Sequence, residues 1–228
     1  MTRRFEIGFV FAILLLVMML STSVSGGVTS SSRETRDFTV QSGVDWWMMF
    51  HHDLNRSGYS TSTAPNTNNT IWSYTTDGTV ESSPAVAYGQ VYVGSDDQNI
   101  YCLNATSGIF IWKYKTNGWV YSSPAVAYGR VYVGSTDDNV YCLNPSTGTY
   151  IWSYTTDGDV WSSPAIADGR VYVGSNDENI YCLNAASGAL IWKYRTGRLV
   201  FSSPAVAYGR VYVGSYDCLL YTSPSPRD

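Results

Sequence analysis

The most regular feature of the sequence is an alternation of apolar and polar positions that returns every 40 residues. Four units each begin with an isoleucine: Ile71, Ile111, Ile151 and Ile191. The units 111–150 and 151–190 are identical at 25 of 40 positions without a gap. Self-similarity at a fixed period of this length is typical of repeat architectures.

Each unit divides into four predicted strands separated by turn residues. In the second unit they are 122–127, 131–133, 140–143 and 150–154. Val, Ile and Tyr dominate them, and the dipeptide Asp168-Gly169 of the next unit is typical of a two-residue hairpin turn. No stretch within the units shows a sustained helical period. We therefore expect an all-β chain of four-stranded antiparallel units.

A single four-stranded unit cannot bury both of its faces. Units stacked around an axis can, which predicts a β-propeller whose blades cover one another. Pro124 in the first strand fits an innermost edge, where a missing N–H costs little. An open β-solenoid is the alternative fold, although its rungs are usually shorter than 40 residues.

One motif carries a family resemblance. The segment 102–112, repeated at 142–152 and 182–192, resembles the tryptophan-docking motif Ala-x-Asp-x-x-Thr-Gly-Lys-x-x-Trp of pyrroloquinoline-quinone (PQQ)-like repeat propellers. It departs from that motif by Cys for Ala, Asn for Asp and no Lys after the Gly. The resemblance implies that nine residues form structural docking motifs: Asn104, Gly108, Trp112, Asn144, Gly148, Trp152, Asn184, Gly188 and Trp192.

The resemblance covers about 45–217 and implies a partial propeller. Propellers of this family usually have seven or eight blades, whereas the chain holds about three complete units plus partial ones. The last segment, 218–228, departs from the repeat and resembles the translation of a sequencing-library adapter. A divergent C-terminal strand is the alternative interpretation of that segment.

The N-terminal 25 residues have the three-part layout of a secretory signal peptide. Arg3 and Arg4 precede the 14-residue apolar run 7–20, and small residues lead to a cleavage site after Ser25. An uncleaved anchor is the alternative, and it would give the chain its one contact with a membrane. Residues 26–44 are a Ser/Thr-rich linker. We expect an exported protein that is extracellular, at the cell surface or in the periplasm.

Composition and charge reduce the number of function classes that fit the sequence. The net charge is −4 and no run of Lys or Arg occurs, which argues against nucleic acid as a partner. The family includes PQQ-dependent alcohol dehydrogenases, which need a catalytic Asp, a calcium site and a pair of adjacent cysteines. Glu81 and Glu178 are the only glutamates after position 34, and they lie at non-equivalent repeat positions. We therefore assign no catalytic residue, metal or cofactor, and PQQ and calcium enter only through the resemblance.

Cysteines and turn carboxylates have structural interpretations as well. Cys102, Cys142 and Cys182 share one repeat position, which predicts small buried side chains too far apart for a disulfide. The Asp-rich turns such as 96–99 fit backbone hydrogen bonding, with calcium as the alternative.

We expect a non-catalytic binding or scaffold protein. The alternatives are a fragment of a PQQ-dependent quinoprotein dehydrogenase and the ectodomain of a membrane-anchored sensor or adhesin. Positions that vary between units, in the connection that leads into each innermost strand, are free to form a site. Four aromatic residues there form the candidate partner face: Trp119, Tyr121, Trp161 and Phe201. We expect envelope or surface proteins or glycans as partners, with packing between blades as the alternative role for these rings.

Overall fold

The described part of the chain is built from antiparallel sheets. The computed structural model describes residues 46–53 and 58–224, and in these ranges it contains 15 strands and no helix. The predicted signal peptide and linker lie outside the described residues. No helix among those residues has the length and apolar character needed to cross a bilayer.

Four sheets follow one another along the chain, and we call them blades 1 to 4. Blade 1 contains β1 (Ala85–Ala87), β2 (Gln90–Gly94), β3 (Asn99–Asn104) and β4 (Phe110–Lys115). Blade 2 contains β5 (Ala125–Ala127), β6 (Arg130–Gly134), β7 (Asn139–Leu143) and β8 (Tyr150–Thr155). Blade 3 contains β9 (Ala165–Ala167), β10 (Arg170–Gly174), β11 (Asn179–Asn184) and β12 (Leu190–Arg195). Blade 4 is described with β13 (Ala205–Ala207), β14 (Arg210–Gly214) and β15 (Leu220–Pro224).

Within each blade the strands pair in sequence order as an antiparallel meander. The first strands of consecutive blades contact one another, so that they form the inner side of the series. The predicted propeller of four-stranded blades is confirmed, and the sheets described do not close into a ring. The segment 218–224 forms the turn and third strand of blade 4; whether its codons derive from an adapter stays a prediction.

The first strand of each blade is shorter than the sequence suggests. The predicted strand 122–127 is reduced to β5, which begins directly after Pro124. Proline has no N–H for the ladder and therefore delays the start of pairing. The hairpin that follows has Tyr128 and Gly129 at φ 51° and 65°, as a two-residue turn of type I′ requires.

The two ends of the blades differ. We call the end with the turns between second and third strands, and with the connections between blades, the upper end. The other is the lower end. At the upper end each connection bonds to the turn of the following blade, for example Thr136 N to Trp119 O at 2.9 Å. These bonds fix where the variable residues of each connection lie.

Blades pack against each other without room for one more carbon atom at a repeated glycine. A Cβ on Gly134 would lie 2.5 Å from Val160 Cγ1 and 2.6 Å from Val160 O. Val160 is fully buried and belongs to the connection that leads into blade 3. The second strand of one blade therefore fits directly against the entry to the next, and Gly94 and Gly174 repeat this contact with Val120 and Val200.

Serines spaced 40 residues apart join the blades near the inner strands. Ser83 N donates to Ser123 Oγ at 2.8 Å, and Ser123 N donates to Ser163 Oγ at 2.9 Å. The segment before the first unit also forms hydrogen bonds with the inner strands: Val86 N donates to Trp47 O, and Val126 N donates to Met48 O. The repeated Ser-Ser-Pro sequence thus links the blades through hydrogen bonds as well as apolar contact.

We expect Gly134→Ala to lower the free energy of unfolding by about 1–3 kcal/mol, because the added methyl group overpacks the contact with Val160. Gly214→Ala is the matched control at the same repeat position of blade 4. A Cβ there would meet only Ser202 atoms at 3.6 and 3.8 Å. Urea unfolding of the two variants measures the difference. Equal losses would show that the clash between blades does not determine the effect.

Candidate functional site

Tryptophans of the outer strands connect each blade to the lower end of the next. Trp112 of β4 donates its Nε1–H to Pro145 O of blade 2 at 2.8 Å. A Cβ on Gly148 would lie 2.6 Å from the Trp112 ring. Gly148 also has φ 67°, which favours glycine. The ring therefore lies on a turn that tolerates no side chain at this position.

The same contact recurs at each described junction that has both partners. Trp152 donates to Ala185 O at 3.2 Å, and Gly188 is the glycine beneath its ring. Trp72 donates to Ala105 O at 3.0 Å and covers Gly108. Each glycine of a motif thus receives the tryptophan of the preceding unit.

The asparagine of each motif shapes the turn on which the ring lies. Asn144 Oδ1 accepts hydrogen bonds from Ser146 N at 2.9 Å and Thr147 N at 3.1 Å. Asn104 and Asn184 accept the equivalent bonds. A short side chain that bonds to its own turn explains why Asn can replace the Asp of the family motif.

Trp192 is the exception. Within the described residues its Nε1 has no hydrogen-bond acceptor, and the ring is only partly buried, with Tyr172 as its aromatic neighbour. A cavity of about 250 Å³ lies beside it between blades 3 and 4, lined also by Ile180 and Val211. Within the described residues, the docking contact of Trp192 therefore lacks its hydrogen bond.

The candidate partner face is brought together by the structure. The rings of Trp119 and Tyr121 have centroids 5.8 Å apart, those of Tyr121 and Trp161 4.8 Å, and those of Trp161 and Phe201 5.1 Å. Phe201 also contacts Tyr216 at 4.8 Å. We call these five residues the aromatic row. It crosses three connections at the upper end.

The aromatic row is partly open to solvent. Three of its members are exposed: Trp119 at 51%, Trp161 at 39% and Tyr216 at 62%. Tyr121 and Phe201 are half-buried between their neighbours. The row therefore combines contact between its rings with an aromatic surface that is open to solvent.

Two residues of these contacts, Trp72 and Tyr216, are not predicted from the sequence. Trp72 lies in a segment without an assigned strand, yet it docks as the later tryptophans do. Tyr216 occupies a turn position that holds Asp96, Thr136 and Asn176 in the other blades. This turn position also varies between units, and that variation is the sequence pattern that identifies Tyr216.

The upper-end carboxylates are held by their own turns. Asp97 accepts hydrogen bonds from Tyr101 Oη at 2.6 Å, Asp77 N at 3.0 Å and Asn99 N at 3.0 Å. Burial raises the pKa of the Asp97 carboxyl, but these donors outweigh it and hold the pKa below its usual range. The carboxylate of Asp97 therefore holds its own turn together.

The described residues do not fit a calcium-bound PQQ site. No group of three or more His, Cys, Asp or Glu side chains among them is placed to hold a metal ion. Cys102, Cys142 and Cys182 are free and buried, one in each blade, and burial raises the pKa of the Cys102 thiol to about 12. The donors required for that cofactor are not assembled here.

Comparisons with known proteins place this architecture in a family. A PQQ-repeat family model described as "Outer membrane protein assembly factor BamB" matches residues 56–162, 118–181 and 140–222, well over half of the chain. No curated protein matches the sequence. The chain belongs to the PQQ-like repeat propeller family.

Solved structures show the same fold. BamB from Moraxella catarrhalis is 21% identical, with a TM-score of 0.62 over 68% of this chain and 49% of that one. The quinohemoprotein alcohol dehydrogenase ADHIIG from Pseudomonas putida HK5 is 21% identical, with a TM-score of 0.66 over 75% of this chain and 34% of that one. The computationally designed Ika4 protein is 16% identical, with a TM-score of 0.63 over 69% of this chain and 99% of that one.

The two natural neighbours differ in kind, one an assembly factor and the other an enzyme. The chain spans about half the length of the first and a third of the second. At these identities the likeness shows the fold alone.

We expect Trp112→Phe to destabilise the protein by about 1–2 kcal/mol, because it removes a buried hydrogen bond and part of the ring that covers Gly148. Trp119→Phe is the control, since this exposed ring makes no such bond within the described residues. Equilibrium unfolding in urea compares the two. A loss at Trp119 equal to that at Trp112 would contradict the docking role.

The lowered pKa of Asp97 predicts an acid-dependent contribution to stability. Its folded-state pKa is below that of the unfolded chain, so the contribution is present above about pH 4 and lost as the pH falls through the folded value. Tyr101→Phe removes one donor to Asp97. We expect this variant to be less stable at neutral pH and to lose less stability between pH 5 and pH 2.5.

Tyr114→Phe is the control for this acid dependence. Its ring packs against Tyr141, and no hydrogen bond of its hydroxyl is found within the described residues. Unfolding by urea at a series of pH values gives both profiles. Parallel profiles for Tyr101→Phe and the unsubstituted protein would contradict the assignment to Asp97.

Proposed function

We propose that the protein is an exported, non-catalytic binding or scaffold protein of the cell surface or envelope, whose partner lies on the aromatic row. The single observation that carries this proposal is the contiguous set of exposed rings at the upper end. Large apolar side chains in one exposed patch are typical of interaction sites. Aromatic residues are also enriched at the centres of protein interfaces.

The arrangement of repeated and variable positions supports a binding role. Positions shared by all units, such as Gly134 and Trp112, are used in packing between blades. The aromatic row occupies positions that differ between units. A scaffold that holds its variable residues in a fixed geometry loses little entropy when a partner binds.

The family supports the envelope as the location. Its model is described as an outer membrane protein assembly factor, and one solved neighbour is BamB. The predicted signal peptide agrees with export. The sensor or adhesin ectodomain remains a variant of this proposal with the same binding surface.

The quinoprotein dehydrogenase fragment is the enzymatic alternative. Solved quinohemoprotein alcohol dehydrogenases share the fold. A quinone-type absorbance band on the purified protein that persists through dialysis with calcium would favour this alternative over the binding role.

Site-specific photo-crosslinking in producing cells tests the proposal. A photoreactive phenylalanine analogue at Trp119 is compared with one at Ile109, which is exposed at the lower end. We expect discrete adducts to envelope components from position 119 and none from position 109. Equal labelling from both positions would contradict a partner face at the upper end.

The double variant Trp119→Ala with Trp161→Ala separates binding from packing. We expect adduct formation from a photoreactive residue at position 216 to be lost, with a thermal unfolding midpoint lowered by only a few degrees. Retained adducts together with a strongly lowered midpoint would show that the rings serve packing between blades.

A further inference from the structure

Carboxylates lie directly against the aromatic row. Asp159 Oδ2 accepts a hydrogen bond from Trp161 Nε1 at 3.1 Å. Beside Trp161 in the row, burial raises the pKa of the Tyr121 phenol, and the charges of Asp96 and Glu81 add to that increase. Trp161 and its neighbour Tyr121 are therefore accompanied by negative charge.

A second carboxyl group increases the charge beside Trp161. Burial raises the pKa of Asp138, and the charge of the nearby Asp159 carboxylate raises it further. Two nearby acidic groups repel each other when both are ionised. A cation bound between them and the ring would relieve that repulsion.

No cation of the described residues neutralises this charge. The ion pairs of Lys and Arg found there join Lys193 to Asp157 and Arg195 to Glu178, and both cations belong to the outer strand β12. Arg198 lies at the same end near blade 4, where its carbonyl accepts from Ser215 Oγ. The carboxylates of Asp159 and Glu81 have no ion-pair partner in these ranges, whereas Asp96 Oδ2 accepts a hydrogen bond from Thr79 Oγ1.

Elsewhere in the molecule, a lysine accompanies a comparable pair of aromatic ring and carboxylate. Lys113 Nζ lies 5.7 Å from the Tyr101 ring centroid, and the hydroxyl of that ring donates to Asp97. Lys193 lies 5.7 Å from the ring of Tyr181, which donates to Asp177. On the outer strands a ring and a carboxylate are thus accompanied by a lysine from the neighbouring strand.

We infer that the partner of the aromatic row is a protein segment rich in lysine and arginine, whose cationic side chains lie over Trp119 and Trp161 and pair with Asp159 and Glu81. This inference rests on the proposed function and adds the chemistry of the partner. Cations are attracted to the face of an aromatic ring, most strongly to tryptophan. Opposite charge also steers association and fixes orientation.

The ring geometry favours this partner over a glycan. Neighbouring rings in the row are inclined at 49° to 75° to each other. They form no flat platform for a series of sugar rings, whereas separate cationic side chains can each meet one ring. A neutral oligosaccharide is therefore the competing ligand in the test.

The experiment measures binding of a 12-residue lysine–glycine peptide to the purified chain by calorimetry at low and high salt. Its fully acetylated counterpart removes the charge but keeps the length of the side chains. We expect at least tenfold weaker binding of the acetylated peptide and weaker binding of the charged peptide at high salt. Equal binding of both peptides, or tighter binding of a neutral oligosaccharide than of the charged peptide, would overturn the inference.

Matched variants locate the site. We expect Trp161→Leu and Asp159→Asn each to weaken binding of the charged peptide by about two- to tenfold. Asp157→Asn removes the same charge at the same end but away from the row, and we expect less than a twofold effect. If Asp157→Asn weakens binding as much as Asp159→Asn, or if Trp161→Leu binds as the unsubstituted chain does, the inference is wrong.

Loss of folding and loss of binding are measured separately. Circular dichroism verifies the fold of each variant, and Trp119→Leu, at a more exposed ring, replaces Trp161→Leu if that variant does not fold. Adducts from position 119 combined with equal binding of both peptides would leave the proposed function standing and overturn the inference alone. Absence of adducts from the row would overturn the proposed function itself.

Discussion

The structure depends on one constraint: each blade is buried by the blade that follows it. Two contacts show this constraint. Gly134 packs against Val160 beneath the upper-end connection, and Trp112 of the outer strand packs on Gly148 at the lower end. Both contacts require a residue without a side chain on one side and a large or branched side chain on the other. Burial of apolar surface between sheets supplies the main favourable free energy of such a fold. These close approaches therefore determine how much apolar surface each pair of blades buries.

This constraint divides the sequence into two kinds of position. Those that contact the next blade repeat almost unchanged, because any altered side chain would disturb two sheets. Those in the upper-end connections are held in place by backbone hydrogen bonds such as Thr136 N to Trp119 O. Their side chains are therefore free to differ, and an aromatic surface can be displayed without cost to the packing of the blades.

Much of the fold follows from local patterns, and the remaining features depend on contacts between units. The strand positions, the type I′ hairpins at residues such as Tyr128 and the burial of the cysteines can be derived from one repeat. The contact of Trp112 with Pro145 O and Gly148 cannot be derived in this way, because it requires knowing which unit lies beside which. The same holds for the candidate site. Four of its rings lie at variable positions of the connections that lead into the innermost strands, whereas Tyr216 comes from a turn within blade 4 and joins them only in three dimensions.

The spacing of the serine contacts has a genetic consequence. Ser83 bonds to Ser123 and Ser123 to Ser163, always 40 residues ahead. Duplication or deletion of one whole unit keeps the 40-residue spacing, so that each serine still meets a serine of the next blade. The gain or loss of two or three residues inside a unit shifts that spacing with respect to both neighbouring blades. Recombination between repeats can thus alter the number of blades and shuffle the displayed side chains while each junction keeps its geometry.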